Sequence, residues 1–287
     1  MRIIIIQEAG RHEGNKNFRE CLSLQRAFIY NGHVCDVWGL GHSNYSDIPD
    51  WNSYDIIMNI ENYDSIGWVP DLKNYNYPFK ILWSIDAHCR GEEPYENTFK
   101  SGNYNLLLHS TKDFVKSEYH YWFPNCFDDD LIINENLEKK HFIGFCGNYV
   151  NRKDLVEMLT AEFGMKQDIF VIGELMVRCI NEYQIHFNKN MLNDINYRNF
   201  ETIGAGTVLL TNNNPNYDTL GFRNKKNCLI YNDIDDLRNI INEFKKNPDE
   251  LKKIADSGYE LSKKHTYKVR VKELIDFFNN KNNIVNE

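Results

Sequence analysis

Apolar residues along this chain come in short runs divided by polar, glycine-bearing segments, and their spacing switches between two periods. Ile3-Ile4-Ile5-Ile6 is an unbroken β-branched run, the pattern of a strand buried on both faces of a parallel sheet. A polar loop at 7–17 follows. Phe18, Cys21, Leu22, Leu24, Gln25, Ala27 and Phe28 then recur at helical spacing, and Asn31-Gly32 supplies a C-terminal stop. Residues 33–38 read as a second strand, so the chain opens with a βαβ unit.

The alternation continues with strands predicted at 54–60, 79–85 and 105–109, and an aromatic stretch at 119–124 closes the half. Residues 128–140 are polar and read as a linker. A second series follows, with strands at 141–146, 168–172, 185–188, 207–211 and 227–231. Helices are predicted at 152–163, 174–182, 196–203, 235–245, 248–265 and 267–279, and the Asn/Lys-rich tail from Asn279 is expected to fray. Two consecutive αβ series predict an α/β fold of two Rossmann-like, doubly wound domains facing across a cleft. The boundaries fall at 1–135 and 136–265, with 266–287 as a closing helix and tail.

Composition narrows this picture. A chain of 287 residues has room for two cores. Its net charge of −8 argues against a surface that grips nucleic acid throughout, since such binding depends on Lys and Arg neutralising phosphates. Cys21, Cys35, Cys89, Cys126, Cys146, Cys179 and Cys228 are scattered without a C-x-x-C pair. That pattern predicts reduced thiols rather than a zinc site, and a reducing compartment. The initial apolar run is too short for a signal peptide or a membrane span, so a cytoplasmic protein is expected.

Ligands of open α/β sheets bind beyond the carboxyl ends of the strands, which directs attention to the strand-to-helix loops. The densest is 196–212, Asn196-Tyr197-Arg198-Asn199-Phe200-Glu201-Thr202-Ile203-Gly204-Ala205-Gly206 leading into Thr207-Val208-Leu209-Leu210-Thr211-Asn212. Arg198 and Glu201 stand three apart and share a helix face. Read by themselves, they fit either a solvated ion pair or a binding pair.

The pattern Arg-x-Phe-Glu-x-x-x-x-Gly-Thr-x-x-Leu-Thr-Asn resembles the donor-binding segment of GT-B-fold glycosyltransferases. The likeness is to those with a "glycosyl transferases group 1" C-terminal domain, including spore maturation-type proteins and phage-borne relatives. Phe145-Cys146-Gly147-Asn148-Tyr149-Val150-Asn151-Arg152 looks like the family's F-x-G-x-x-x-x-R turn, and His265-Thr266-Tyr267 like its closing segment. The likeness covers most of 142–270; the first half matches mainly in architecture.

The resemblance implies that Glu201 bonds the ribose hydroxyls of a nucleotide, with Arg198, Tyr197 and Asn196 close to the diphosphate or sugar. It implies that Gly147 and Asn148 allow close backbone approach, that Arg152 and Lys189 reach phosphate, and that the closing helix crosses back to the first domain. Where many retaining members carry a Glu contacting the sugar, this chain has Asn193 beside Asp194, which leaves the stereochemical course open.

In the first half, Glu8, Gly10, Arg11 and His12 follow the first strand, and Glu61 and Asn62 follow the third; all suit an acceptor pocket. Asp86 and His88 end the strand at 79–85. With His12 they are the candidates for proton transfer, against the alternatives of a solvated loop and a satisfied strand end. His42, His109 and His120 read as structural. Asp86-Ala87-His88 superficially resembles a metal motif of the single-domain glycosyltransferase architecture, and 128–130 is an acidic run. No metal is nevertheless expected, because helix N-termini and basic side chains can offset a diphosphate.

The expected activity is transfer of a sugar from a UDP- or GDP-sugar co-substrate to a hydroxyl, without a further cofactor. The alternatives are a phage-type enzyme acting on a hydroxymethylated DNA base and a non-catalytic nucleotide-sugar-binding module. A dehydrogenase or epimerase is disfavoured because Gln7-Glu8-Ala9-Gly10, not G-x-G-x-x-G, follows the first strand.

Overall fold

The computed structural model describes residues 1–61 and 66–285. They divide into two compact units, one of residues 1–125 with 267–287, the other of residues 126–266.

The first unit is built on β1 (Arg2–Ile6), β2 (Val34–Trp38), β3 (Ile56–Ile60), β4 (Phe79–Ser84), β5 (Leu106–His109) and β6 (His120–Trp122). They form a parallel sheet in the order β2-β1-β3-β4-β5-β6. β1 and β3 are buried along almost their whole length, which is why both read as apolar runs, broken in β3 only by Asn59, whose side chain donates to the Tyr104 hydroxyl at 2.7 Å. The connection from β1 through α1 (Glu20–Tyr30) leads to β2 on one side, and the chain then returns to place β3 on the other. The order therefore reverses between β1 and β3. Trp38, Trp51, Trp68, Ile57 and Leu82 fill one core, and Trp38 meets Trp51 edge-on at 5.4 Å, a favourable aromatic geometry.

The second unit holds β7 (His141–Gly147), β8 (Lys166–Ile169), β9 (Tyr183–Phe187), β10 (Val208–Asn212) and β11 (Leu229–Tyr231). This sheet is also parallel, in the order β11-β10-β9-β7-β8. Its reversal lies between β7 and β9. The sheet is flanked by α4 (Lys153–Phe163), α5 (Gly173–Glu182), α6 (Tyr197–Gly204), α7 (Ile234–Phe244) and α8 (Pro248–Ser262). Ile143, Ile185, Phe187, Val208, Leu237 and Ile241 belong to its core.

Three features differ from the sequence expectation. First, α2 (Ala87–Arg90) and α3 (Glu93–Ser101) occupy a stretch where no helix was expected. α3 buries only Tyr95, so it carries too few apolar positions to show a period. Second, α9 (Tyr267–Val285) stays helical past the point where fraying was expected. It belongs to the first unit and packs on α1, where Asn31 Nδ2 donates to the Lys268 carbonyl at 3.0 Å.

Third, 128–140 is not a free linker. Ile132 is buried, Glu135 N donates to Asn181 Oδ1 at 2.8 Å, and Asn181 Nδ2 donates to the Ile133 carbonyl at 3.0 Å. A side chain at Gly204 would come within 2.5 Å of the Phe127 ring, so that glycine is required by packing. Asp128 is also buried, and its carboxylate accepts from Asp130 N at 3.0 Å.

Candidate active site

At the reversal of the second sheet, a pocket of about 220 Å³ opens beyond the carboxyl ends of β7 and β9. Phe145, Gly147, Asn148 and Arg152 line it from the β7–α4 turn, and Asn188, Asn196, Tyr197 and Arg198 from the β9–α6 connection. Such a reversal is the usual ligand position of an open α/β sheet. Asn196 caps α6, its side chain accepting from Arg198 N at 3.1 Å, so a helix start faces this region and favours negative charge there. Six of the eight residues assigned to donor binding from sequence line this one pocket: Gly147, Asn148, Arg152, Asn196, Tyr197 and Arg198.

Arg198 is fixed on two sides. Its Nε donates to the Cys146 carbonyl at 3.1 Å and its Nη1 to Glu201. The two side chains are 23% and 13% exposed, which rules out a solvated surface pair. Burial opposes the guanidinium charge, but the adjoining Glu201 carboxylate more than offsets it and raises the pKa. Arg has five donors, so part of the fork is left for a ligand. Glu201 itself stands one turn along α6, paired with Arg198 at the pocket's edge rather than among the residues that line it.

Arg152 Nε donates to the Lys189 carbonyl at 3.0 Å, and Lys189 Nζ donates to the Asn151 carbonyl at 3.3 Å. Arg152 and Lys189 also line an adjoining 260 Å³ cavity with Asn151 and Lys153. At Gly147 an added Cβ would meet nothing closer than the Phe145 ring at 3.5 Å. The fold itself does not require glycine there, although the position borders the pocket.

Sequence reasoning missed the support beneath this site. His186 is fully buried; its Nε2 accepts from Cys146 N at 3.1 Å, and its Nδ1 donates to Thr202 Oγ1 at 2.6 Å. Since the Thr202 hydroxyl donates to the Arg198 carbonyl, Nδ1 carries the imidazole proton. Burial, reinforced by the Arg198 charge, lowers the His186 pKa to about 3; the ring is a neutral tie between β7 and α6.

Beside it lies a buried amide network. Asn190 N donates to Asn212 Oδ1 at 2.7 Å, and Asn199 Nδ2 to Asn190 Oδ1 at 2.7 Å. The Tyr217 hydroxyl accepts from Asn190 Nδ2 at 2.6 Å and donates to Asn199 Oδ1 at 2.7 Å. These satisfied groups hold the start of α6 in place. The crowding of Asn at 188, 190, 196 and 199 was the available signal.

In the first unit, Glu61 follows β3 and is the best-held carboxylate. Its Oε2 accepts from Ile85 N at 2.6 Å and Asp86 N at 3.2 Å, its Oε1 accepts from the Tyr95 hydroxyl, and Arg90 Nε lies 3.8 Å away. Burial raises its pKa, against the lowering effect of these hydrogen bonds. Glu61 thereby fixes the start of α2, where Asp86 is the N-cap residue and His88 lies in the same turn. Asp86 and His88 are half-buried. Asn62 lies outside the described residues.

The loop after β1 is separate. Gln7 ties it down, its Oε1 accepting from Cys21 N at 2.9 Å and its Nε2 donating to Glu20 at 2.9 Å. Glu8 is half-buried, Gly10 takes φ +82°, and Arg11 and His12 are exposed. His42 is structural: its Nε2 lies 3.1 Å from the Gln7 carbonyl. His265 likewise meets the Leu220 carbonyl at 2.8 Å and packs on Phe222 and Phe200. All seven cysteines are free thiols.

Residues 147–276 match the family model described as glycosyl transferase-like. No curated protein matches the sequence. Solved structures share the fold over nearly the whole chain. The β-glucosyltransferase of T4 phage superposes with a TM-score of 0.69 at 14% identity, over 97% of this chain and 98% of that one. HepE of Anabaena in complex with UDP-glucose gives 0.65 at 12% identity, over 96% and 99%. An α-glucosyltransferase in complex with UDP and a 13-mer DNA containing an HMU base gives 0.64 at 12% identity, over 96% and 98%. At these identities the structural likeness is one of fold. Among the described residues no helix is long and apolar enough to cross a membrane. Nearly the whole chain thus shares the fold of these glycosyltransferases, and residues 147–276 match the glycosyl transferase-like family.

Proposed function

We propose that the chain transfers a sugar from a UDP- or GDP-linked donor to a hydroxyl, with the pocket between β7 and β9 holding the donor. One observation carries this reading: Arg152, Arg198, the capped start of α6 and a glycine that packing does not need all border the same small pocket. HepE, with UDP-glucose bound, shares the fold. In the reaction the bond from the sugar's anomeric carbon to the diphosphate breaks, and one to the acceptor oxygen forms. Arg152, Lys189 and Arg198 stabilise the charge growing on the diphosphate, a contribution worth roughly 3–4 kcal/mol per well-placed donor. Glu201 bonds the ribose and Tyr197 borders the sugar.

Asp86 takes the acceptor proton, with Glu61 as its positioning residue and His88 as the neighbouring candidate. Glu8, Gly10 and Arg11 belong to the acceptor side. No catalytic metal is needed, because fixed cations and a helix start face the leaving group. Free thiols, most of them buried, suit a reducing cytoplasmic setting.

A second reading takes a modified DNA base as the acceptor, prompted by the α-glucosyltransferase complex with DNA. The net charge of −8 weighs against it. Duplex binding that collapses between about 50 and 200 mM salt supports it. The direct test is a thermal-shift screen with UDP-, GDP-, ADP- and CMP-sugars, followed by detection of transferred sugar. A bound donor raises Tm by mass action, and Glu201→Ala removes that rise. A rise without transfer or hydrolysis for any donor indicates a binding module; no rise with any donor refutes the proposal.

A further inference from the structure

Three side chains of the first unit converge on a point that the proposed transfer does not use. Glu96 on α3, His109 at the end of β5 and His120 at the start of β6 each bring one ligand atom within 4.8 Å of the others. His109 is 1% exposed, and neither ring nitrogen has a hydrogen-bond partner among the described residues. Leaving such a group unsatisfied costs about 1–3 kcal/mol, and one of these nitrogens belongs to the cluster. Its surroundings are rings, with Phe114 at 5.9 Å and His120 at 5.0 Å between centroids.

His120 is oriented from behind. Its Nδ1 has two backbone neighbours, the Phe114 carbonyl at 3.0 Å and Lys116 N at 3.3 Å. With the shorter contact formed, Nδ1–H donates to the carbonyl and Nε2 presents its lone pair. In that tautomer the lone pair faces Glu96 Oε1 at 2.9 Å, a position open to a proton or a cation; in the other, with Lys116 N donating to Nδ1, Nε2–H donates to Glu96. A carbonyl taking the far N–H is also how metal-bound histidines are commonly oriented. The other cation on Glu96 is Lys100, 3.7 Å away and 73% exposed, a weak competitor.

We propose that Glu96, His109 and His120 bind a divalent transition-metal ion, with zinc the best match to two imidazoles and a carboxylate. Zinc bonds such ligands at about 2.0–2.2 Å, so a small inward movement of the three side chains completes three positions and water takes the fourth. The ion would tie together α3, β5 and β6. β6 is an edge strand of three residues, and short edge strands gain little from their own ladder. The site is a structural staple, built without cysteine and independent of the donor reading.

The test uses the full chain stripped with EDTA and titrated with zinc chloride, read by calorimetry, bound-metal analysis and Tm. The expected result is one zinc per chain with a raised Tm, a cobalt derivative showing an intense visible d–d band, and no effect of magnesium. Glu96→Gln, which leaves the helix intact, and His109→Gln should each weaken zinc binding by at least about tenfold. Absence of stoichiometric zinc, an equal response to magnesium, or unchanged affinity in Glu96→Gln would overturn the assignment.

Discussion

The two sheets open the same topological gap onto opposite chemistry. Between β7 and β9 the borders are cationic and amide-rich, with Arg152, Arg198, Asn188 and Asn196 around one pocket. Around the gap between β1 and β3 the strands lead instead into carboxylates, Glu8 and Glu61, with Asp86 one strand over. Both arise from the same parallel strand reversal, so the fold supplies the location and the residues after each strand supply the sign. A cation-lined gap suits a diphosphate; a carboxylate edge suits a hydroxyl about to lose its proton.

Neutralising one charge at each edge is the strongest way to break this division. Asp86→Asn should lower kcat by roughly 10²–10⁴-fold while leaving donor affinity unchanged, as read by steady-state kinetics beside nucleotide titration. Arg198→Ala should lower kcat/KM by about 10²–10³-fold and weaken donor binding as well. If both variants lose donor affinity equally, the division of labour is wrong.

A smaller effect sharpens the account of how the cationic edge is held. Tyr217→Phe removes the hydroxyl that joins Asn190 and Asn199, and should cost about 1–3 kcal/mol of stability in urea unfolding. A pH effect, absent at neutral pH and growing only in acid, probes the same support. His186 is depressed to about 3 when folded, below its ordinary 6.5, so its neutral form stabilises the protein above pH 6.5. That contribution is lost as pH falls from 6.5 toward 3, at up to about 1.4 kcal/mol per pH unit. His186→Gln should reduce the slope of stability against pH by one proton over that range.

Much of this was legible in the chain because parallel strands buried on both faces announce themselves. The runs at Ile3–Ile6 and around Ile57, Leu107 and Ile185 fix β1, β3, β5 and β9 without knowledge of their partners. α3 was not legible, since Tyr95 is its single buried anchor. The packing of 128–140 was hidden because, apart from Ile132, its ties run through backbone groups and Asn181 rather than a periodic set of apolar side chains.

At the site, Gly147, Arg152, Asn196 and Arg198 could be singled out because they lie in segments between strand and helix that resemble the donor-binding motifs of glycosyltransferases. What holds them could not. The Asn190–Asn199–Tyr217 network and the capture of Glu61 by Tyr95 and two backbone amides depend on groups brought together by tertiary structure. His109 read as an ordinary core histidine, yet among the described residues its two nitrogens lack the partners that satisfy His186.

The central claim, that the β7–β9 pocket grips a nucleoside diphosphate, is tested most directly by titrating UDP and GDP into wild type and Gly147→Leu in a calorimeter. Gly147 has an ordinary backbone and room for a Cβ, so the variant should fold with a near-normal Tm while its side chain fills the pocket. The account predicts one nucleotide bound per wild-type chain and none by Gly147→Leu. Equal affinity in the two proteins, or no binding of either nucleotide to wild type, would contradict it.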